Sequence, residues 1–260
     1  MLSWFKRRKL TSPPSARQAS IPADTRVYAI GDIHGRLDLL NELLTLIEDD
    51  AQDYTGRKIA VFLGDYIDRG PDSKGVIDRL MQPLPADLEP VYLKGNHEAA
   101  MLHFFGSLET GAGWMRYGGL ETLRSYNIPM QPGIATPERL TELQRSLQAR
   151  FPAHHREWLD SCAISYELGD YYFVHAGIRP DVPLTDQSDH DRLWIRDAFL
   201  SWRGGGLEKM IVHGHTISRD VEIHPHRIGI DTGAYSSGRL TSIVLEESRC
   251  RILQTNPNKN

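Results

Sequence analysis

The stretch Val27-Tyr28-Ala29-Ile30-Gly31-Asp32-Ile33-His34-Gly35 sets the pattern of the chain. Its four leading apolar residues predict a short buried strand. Gly31-Asp32 ends the run, and Leu37, Leu40, Leu43, Leu44 and Ile47 then recur at helical spacing through Asp50. The order returns twice. Ile59-Ala60-Val61-Phe62-Leu63 ends in Gly64-Asp65 and precedes a helix predicted over Ser73 to Met81. Val91-Tyr92-Leu93 ends in Gly95-Asn96, with a helix expected from Glu98. Three rounds of strand, glycine-polar turn and helix predict an α/β fold with parallel pairing in this half.

The flanks read differently. Residues near 106–160 hold glycine-rich turns and then helical stretches around Pro137–Ala149 and Ala153–Ser161, an insertion or cap without linker composition at its ends. After Ala163 come short strands: Tyr171–Val174, Met210–Val212, Val221–Ile223, Arg227–Ile230, Leu240–Leu245 and Arg251–Leu253. They suggest a second, mainly hairpin-linked sheet. Residues 1–24 read as a disordered basic tail before a single domain over 25–255. Lys6, Arg7, Arg8 and Lys9 follow Leu2, Trp4 and Phe5, the reverse of a secretory leader. A weak membrane-surface contact competes there with a solvated leader.

Composition narrows the functional classes. The 260 residues are 40% hydrophobic and 25% charged, enough for a sizeable core. No apolar run approaches the ~18 residues of a membrane-spanning helix. A net charge of -4 argues against a nucleic-acid partner. Two cysteines build neither a disulfide framework nor a thiolate zinc site, and they suit a reducing, cytoplasmic setting. Eleven histidines direct any metal chemistry to imidazole and carboxylate.

Five predicted strands end in metal-competent residues: Asp32 with His34, Asp65, Asn96 with His97, His175, and His215. Ligands gather at such strand ends in open α/β sheets. Six ligands are too many for one ion with an open position and suit two ions sharing a carboxylate. Two divalent ions about 3.5–4 Å apart clamp a phosphoryl group and acidify a bound water. Oxygen and imidazole donors admit Mn, Fe, Zn or Mg. Singly, each residue has a plainer reading: Asp32 and Asp65 as turn or cap carboxylates, Arg69 as a surface cation, Arg196 as a helix-surface partner of Asp197, His175 as a core histidine. Their joint occurrence, in order and each after a strand, outweighs those readings.

Gly31-Asp32-Ile33-His34-Gly35, Gly64-Asp65-Tyr66-Ile67-Asp68-Arg69-Gly70 and Gly95-Asn96-His97-Glu98 resemble the three motifs of the phosphoprotein phosphatase family of metallophosphoesterases. Val174-His175-Ala176-Gly177, Leu193–Arg196, His213-Gly214-His215-Thr216 and Ile230–Ala234 follow in order, most like the bacterial and phage branch. The resemblance covers residues 26 to 246, the cap least. It implies a calcineurin-like fold: two mixed sheets sandwiched between helices, with a helical cap. It implies a serine/threonine protein phosphatase in which a hydroxide bridging two ions, manganese by expectation, attacks phosphorus directly. A diadenosine tetraphosphatase or another nucleotide or small-phosphoester hydrolase is the alternative. Asp32, His34 and Asp65 would hold the first ion, and Asp65, Asn96, His175 and His215 the second. His97 would protonate the leaving oxygen with Asp68 orienting it. Arg69, Arg196 and Asn96 would bind phosphate. His213 competes with His215 as ligand. Phosphoproteins or small phosphoesters would be the partners, with no stable membrane insertion.

Overall fold

A computed structural model describes residues 18–129 and 136–256. Two five-stranded sheets stack face to face. The first contains β1 (Thr25–Ile30), β2 (Arg57–Phe62) and β3 (Glu89–Tyr92), with α1 (Leu37–Ala51) and α2 (Ser73–Leu80) in the connections. α3 (Asn96–Gly106) follows β3 directly. The second sheet is built from β4 (Ser165–Leu168), β5 (Tyr171–Val174), β6 (Met210–His213), β7 (Glu222–Ile223) and β8 (Arg227–Gly229). β9 (Thr241–Glu246) and β10 (Arg249–Gln254) end the described chain.

Side-chain alternation along β1 explains the layering. Tyr28 and Ile30 point into a core shared with Leu40, Leu43, Leu44 and Ile47 of α1. Val27 and Ala29 point the other way, against Phe173, Val212 and Ile228 of the second sheet. Both faces of β1 are thus buried, as expected of a central strand. The outer face of the second sheet, with Tyr172, Val174 and Ile211, packs on Phe199 and Ile195. Helix, sheet, sheet and helix follow in order, the calcineurin-like arrangement expected.

The strand order corrects one expectation. The first sheet runs β10-β9-β1-β2-β3 and the second β4-β5-β6-β8-β7. The last two strands return to the first sheet, where β9 pairs antiparallel with β1, Ala29 opposite Ile243. Within the second sheet β5, β6 and β8 are parallel, so hairpins join only its margins. Hairpin-like spacing reveals a neighbour in sequence, not the sheet to which a strand returns.

Between α3 and β4 lie α4 (Gly111–Trp114), a π-type turn (Met115–Gly119), α5 (Leu120–Ser125), α6 (Pro137–Arg150) and α7 (Ala153–Ser161). Trp114, Leu123, Leu147 and Leu159 join the core already formed by α1 and α3. Gln144 and Gln148 of α6 donate to the end carbonyls of α3, Phe104 O and Phe105 O, both at 2.6 Å. These bonds satisfy acceptors that a helix terminus leaves open.

Of the tail expected over 1–24, residues 1–17 lie outside the described residues. Residues 18–24 depart from it. Ile21 is buried in the core between the sheets and its N–H donates to Glu247 O at 3.0 Å, while Ser20 Oγ donates to Asp170. No helix among the described residues is long and apolar enough to cross a membrane.

Candidate active site

The loops after β1, β2, β3, β5 and β6 converge at one edge of the sandwich. Their backbones turn sharply. Among the described residues ten non-glycine residues have positive φ, and His34, Asp65, Asp68, Arg69 and His215 are five of them. Left-handed backbone is unfavourable for such residues and concentrates where function holds it in place. Glycines make room. A Cβ on Gly95 would overlap Asp65, and one on Gly214 would overlap Asp32.

Asp65 lies at the centre. Its Oδ2 is 3.4 Å from His34 Nε2 and 3.9 Å from His97 Nε2, while its Oδ1 is 3.4 Å from His175 Nε2. The two oxygens of one carboxylate therefore face two imidazole groups. His34, Asp65 and His97 form one triplet of candidate donors, and Asp65, His175 and His215 a second. Asn96 joins the second, its Oδ1 2.9 Å from His175 Nε2. Asp32 stands outside both triplets, because its carboxylate turns to the His215 N–H, 3.2 and 3.0 Å from its two oxygens.

The Nδ1 hydrogen bonds decide which way the Nε2 nitrogens face. His34 Nδ1 donates to Ile67 O and His175 Nδ1 to Leu63 O, each at 2.8 Å, directing both Nε2 atoms inward. His215 Nε2 is buried without a partner. His213 differs: Nδ1 meets Gly214 O at 3.0 Å and Nε2 meets Arg227 Nη1 at 3.3 Å, so both nitrogens are engaged away from Asp65.

Electrostatics favour the same set. Burial pushes His34 down to about 3 and His215 to about 2, and it lowers His175 as well. Their imidazoles are neutral near pH 7, the form that ligates. Burial works against the Asp65 carboxylate, yet His175, His97, His34 and His215 around it hold it well below the usual range. Burial and the neighbouring Asp231 and Asp65 carboxylates push Asp32 up. An unpartnered buried nitrogen, neutral inward-facing imidazoles and a central ionised carboxylate fit divalent cations of the Mn, Fe, Zn or Mg kind.

His97 Nδ1 lies 2.6 Å from Asp68 Oδ2. Burial disfavours the His97 imidazolium, but Asp65 and the bond to Asp68 outweigh it and hold the group above the ordinary histidine value. Arg69 is half-buried, its Nη1 3.0 Å from His34 Nε2 and its Nη2 3.0 Å from His97 Nε2. Arg196 is exposed at the other side, donating to Thr216 Oγ1 at 3.1 Å and His215 O at 3.4 Å. An open pocket of about 610 Å³ adjoins Arg69, lined among others by Arg36, Asp38, Asn41 and Tyr235.

Several side chains here escape sequence reasoning. Glu98 accepts four backbone N–H groups: Asp65 and Gly95 at Oε2, both 2.8 Å, and Tyr66 at 2.9 Å and Ile67 at 3.3 Å at Oε1. It thereby ties the Asp65 loop to α3. Its place in Gly95-Asn96-His97-Glu98 was the available signal. Trp114 Nε1 donates to Asp68 Oδ2 at 2.9 Å. Thr122 Oγ1 donates to Asp68 Oδ1 at 2.6 Å. Tyr235 lies edge-on to His34, with the Arg69 guanidinium 5.0 Å from its ring centre. No motif marks these three. Asp231, outside the expected ligand set, is buried, with Oδ1 accepting from the Gly233 N–H and Oδ2 unpartnered.

Residues 25–240 match the family profile described as Calcineurin-like phosphoesterase. The chain is 27% identical over 239 residues to serine/threonine-protein phosphatase 2 of Escherichia coli, covering 88% of this chain and 97% of the relative. It is 30% identical over 241 residues to an asymmetrical bis(5'-nucleosyl)-tetraphosphatase, PrpE, of Anoxybacillus flavithermus, covering 84% and 89%. A solved structure of a candidate diadenosine tetraphosphatase superposes with a TM-score of 0.60 at 22% identity, over 91% of this chain and 97% of that one. At that identity the likeness speaks for the fold.

Proposed function

The chain belongs to the calcineurin-like phosphoesterase family, and from that premise we propose that it is a two-metal phosphomonoesterase acting on phosphoserine and phosphothreonine in proteins. Asp32, His34 and Asp65 would hold one ion, and Asp65, Asn96, His175 and His215 the other. A divalent pair, when bound, withdraws charge from the phosphoryl oxygens and acidifies water. The reading takes manganese as the working ion and a cytoplasmic setting, in keeping with the two cysteines.

The chain's own groups do the rest. Arg69 and Arg196 would receive phosphate oxygens through planar guanidinium forks, with the Asn96 amide beside them. With Arg69 turned from His97 Nε2 onto phosphate, His97 would carry its proton on Nε2 while Asp68 holds Nδ1–H, and it would pass that proton to the leaving oxygen. An alkoxide leaves poorly without one. The observation that carries this reading is the His97–Asp68 pair at 2.6 Å beside a carboxylate whose two oxygens face different imidazole groups.

A second reading, hydrolysis of bis(5'-nucleosyl) tetraphosphates, draws on the PrpE relative and on the pocket beside Arg69. Among the described residues Tyr235 is the one aromatic side chain on its lining, a face on which a base could stack. The test compares rates on a phosphopeptide and on diadenosine tetraphosphate at fixed Mn²⁺ and equal enzyme. Faster peptide turnover supports the first reading, and faster dinucleotide turnover replaces it with the second. Asp32→Asn should abolish p-nitrophenyl phosphate hydrolysis in folded protein, and His97→Asn should lower phosphopeptide turnover far more than that of p-nitrophenyl phosphate, whose leaving group departs without a proton. Full activity in both would overturn the site.

A further inference from the structure

The cap contributes to the proton-donating pair. Asp68 is completely buried, and its carboxylate receives three donors. Oδ2 takes His97 Nδ1–H at 2.6 Å and Trp114 Nε1–H at 2.9 Å, and Oδ1 takes the Thr122 hydroxyl at 2.6 Å. The Asp68 N–H returns to Thr122 Oγ1 at 2.9 Å and to Ser73 Oγ at 3.0 Å. Asp68 therefore has one orientation, fixed by two residues of the cap.

The cap backbone is shaped for this contact. The π-type turn over Met115–Gly119 stands between Trp114 and Thr122 and brings both side chains to the same carboxylate. Such turns recur at functional sites. Gly118 adopts φ 117°, and a Cβ there would lie 2.7 Å from Arg69 N and from Arg69 Cγ. A Cβ on Gly119 would lie 2.6 Å from the Trp114 indole. Gly118 O accepts from Arg69 N–H at 3.2 Å. Two adjacent glycines thus admit the indole on one side and the Arg69 backbone on the other.

We propose that Trp114 and Thr122 are positioning residues: they lock Asp68, and through it His97, in the geometry that delivers a proton to the leaving oxygen. The proposal rests on the hydrolase reading above. In the step served, a water oxygen that has given up one proton to solvent bonds to phosphorus while the P–O bond to the leaving group breaks. The broken bond's electron pair stays on the leaving oxygen, which takes the His97 Nε2 proton. Neutral imidazole remains, with Nδ1–H still on Asp68. A misaligned donor harms poor leaving groups most, because good ones depart as anions unaided.

The experiment uses the full chain with Mn²⁺ and two esters, p-nitrophenyl phosphate and phosphoserine. The readout is the ratio of kcat/KM values. Trp114→Phe keeps a ring against Phe104, whose centroid lies 5.7 Å from that of Trp114, and deletes only the donor. It should shift the ratio against phosphoserine by about 10-fold, in the direction of His97→Asn. Thr122→Val should do the same, and Thr122→Ser, which keeps the hydroxyl, should recover most of that shift. If Trp114→Phe does not fold, the Thr122 pair decides. Equal losses on both esters, beside an ester-dependent loss in His97→Asn, overturn the proposal alone. A wild-type enzyme that hydrolyses neither ester overturns the functional reading and the proposal together.

Discussion

Gly95 and Asp65 are packed so closely that any side chain on Gly95 would overlap the Asp65 carboxylate. Gly95 has φ -94° and ψ 171°, backbone that every residue adopts, so the constraint is contact and not strain. The Cβ of Gly95→Ala would also overlap Asp65 N, so the Asp65 loop must move and carry the central carboxylate with it. A displacement near 1 Å lowers turnover by about 100-fold. Elemental analysis for bound metal and p-nitrophenyl phosphate kinetics check this together, and unchanged values in both would count against Asp65 as the shared carboxylate.

Glu98 serves as a buried acceptor for four backbone donors. Glu98→Ala would strand the N–H groups of Gly95, Asp65, Tyr66 and Ile67. Each unsatisfied buried donor costs roughly 1–3 kcal/mol, so a loss of about 4 kcal/mol or more is expected. Urea unfolding measures it. Glu98→Gln should lose less, because its amide oxygen still accepts.

His155 makes stability depend on pH. It is buried, its Nε2 3.0 Å from Asp78 and its Nδ1 2.8 Å from the Tyr126 hydroxyl. Burial lowers its pKa, and the Asp78 carboxylate only partly offsets that. Between the lowered value and the ordinary ~6.5, the unfolded chain binds a proton that the folded chain does not. Its contribution to stability is therefore complete above ~6.5 and declines as pH falls through that window. Melting temperatures from pH 5 to 7.5 should rise more steeply in the wild type than in His155→Gln. Parallel profiles would assign the slope elsewhere.

Removal of divalent cations should act on stability as well as on turnover. A ligand that binds only the folded chain adds ~2.7 kcal/mol at a hundred times its dissociation constant. For a chain of this size that is a drop of roughly 5–10 °C in Tm on chelation. Adding back Mn²⁺, Zn²⁺, Fe²⁺ or Mg²⁺ singly, with Tm and activity read on the same samples, ranks the ions. An unchanged Tm after complete chelation would deny the site its metal.

Much of the architecture was legible because the decisive features are contiguous. An apolar run, a glycine and a ligand stand side by side at Ile30-Gly31-Asp32 and Leu63-Gly64-Asp65, so strand and site are read in one glance. The return of β9 to β1 was not legible, since Ala29 and Ile243 pair across the whole domain and nothing local records it. Trp114 and Thr122 escaped for the same reason. Their bonds to Asp68 span 46 and 54 residues, and an indole that donates looks in sequence like one that only packs. His155 belongs to no motif, and its partners Tyr126 and Asp78 lie 29 and 77 positions away by residue number.

The pairing of β9 with β1 also has a consequence for biosynthesis. One of β1's two lateral partners, residues 241–246, is translated more than two hundred codons after β1 itself. Until then the strand carrying Asp32 has an open flank. In that interval the flank presents unpaired backbone donors and acceptors, the kind of edge on which a second polypeptide pairs.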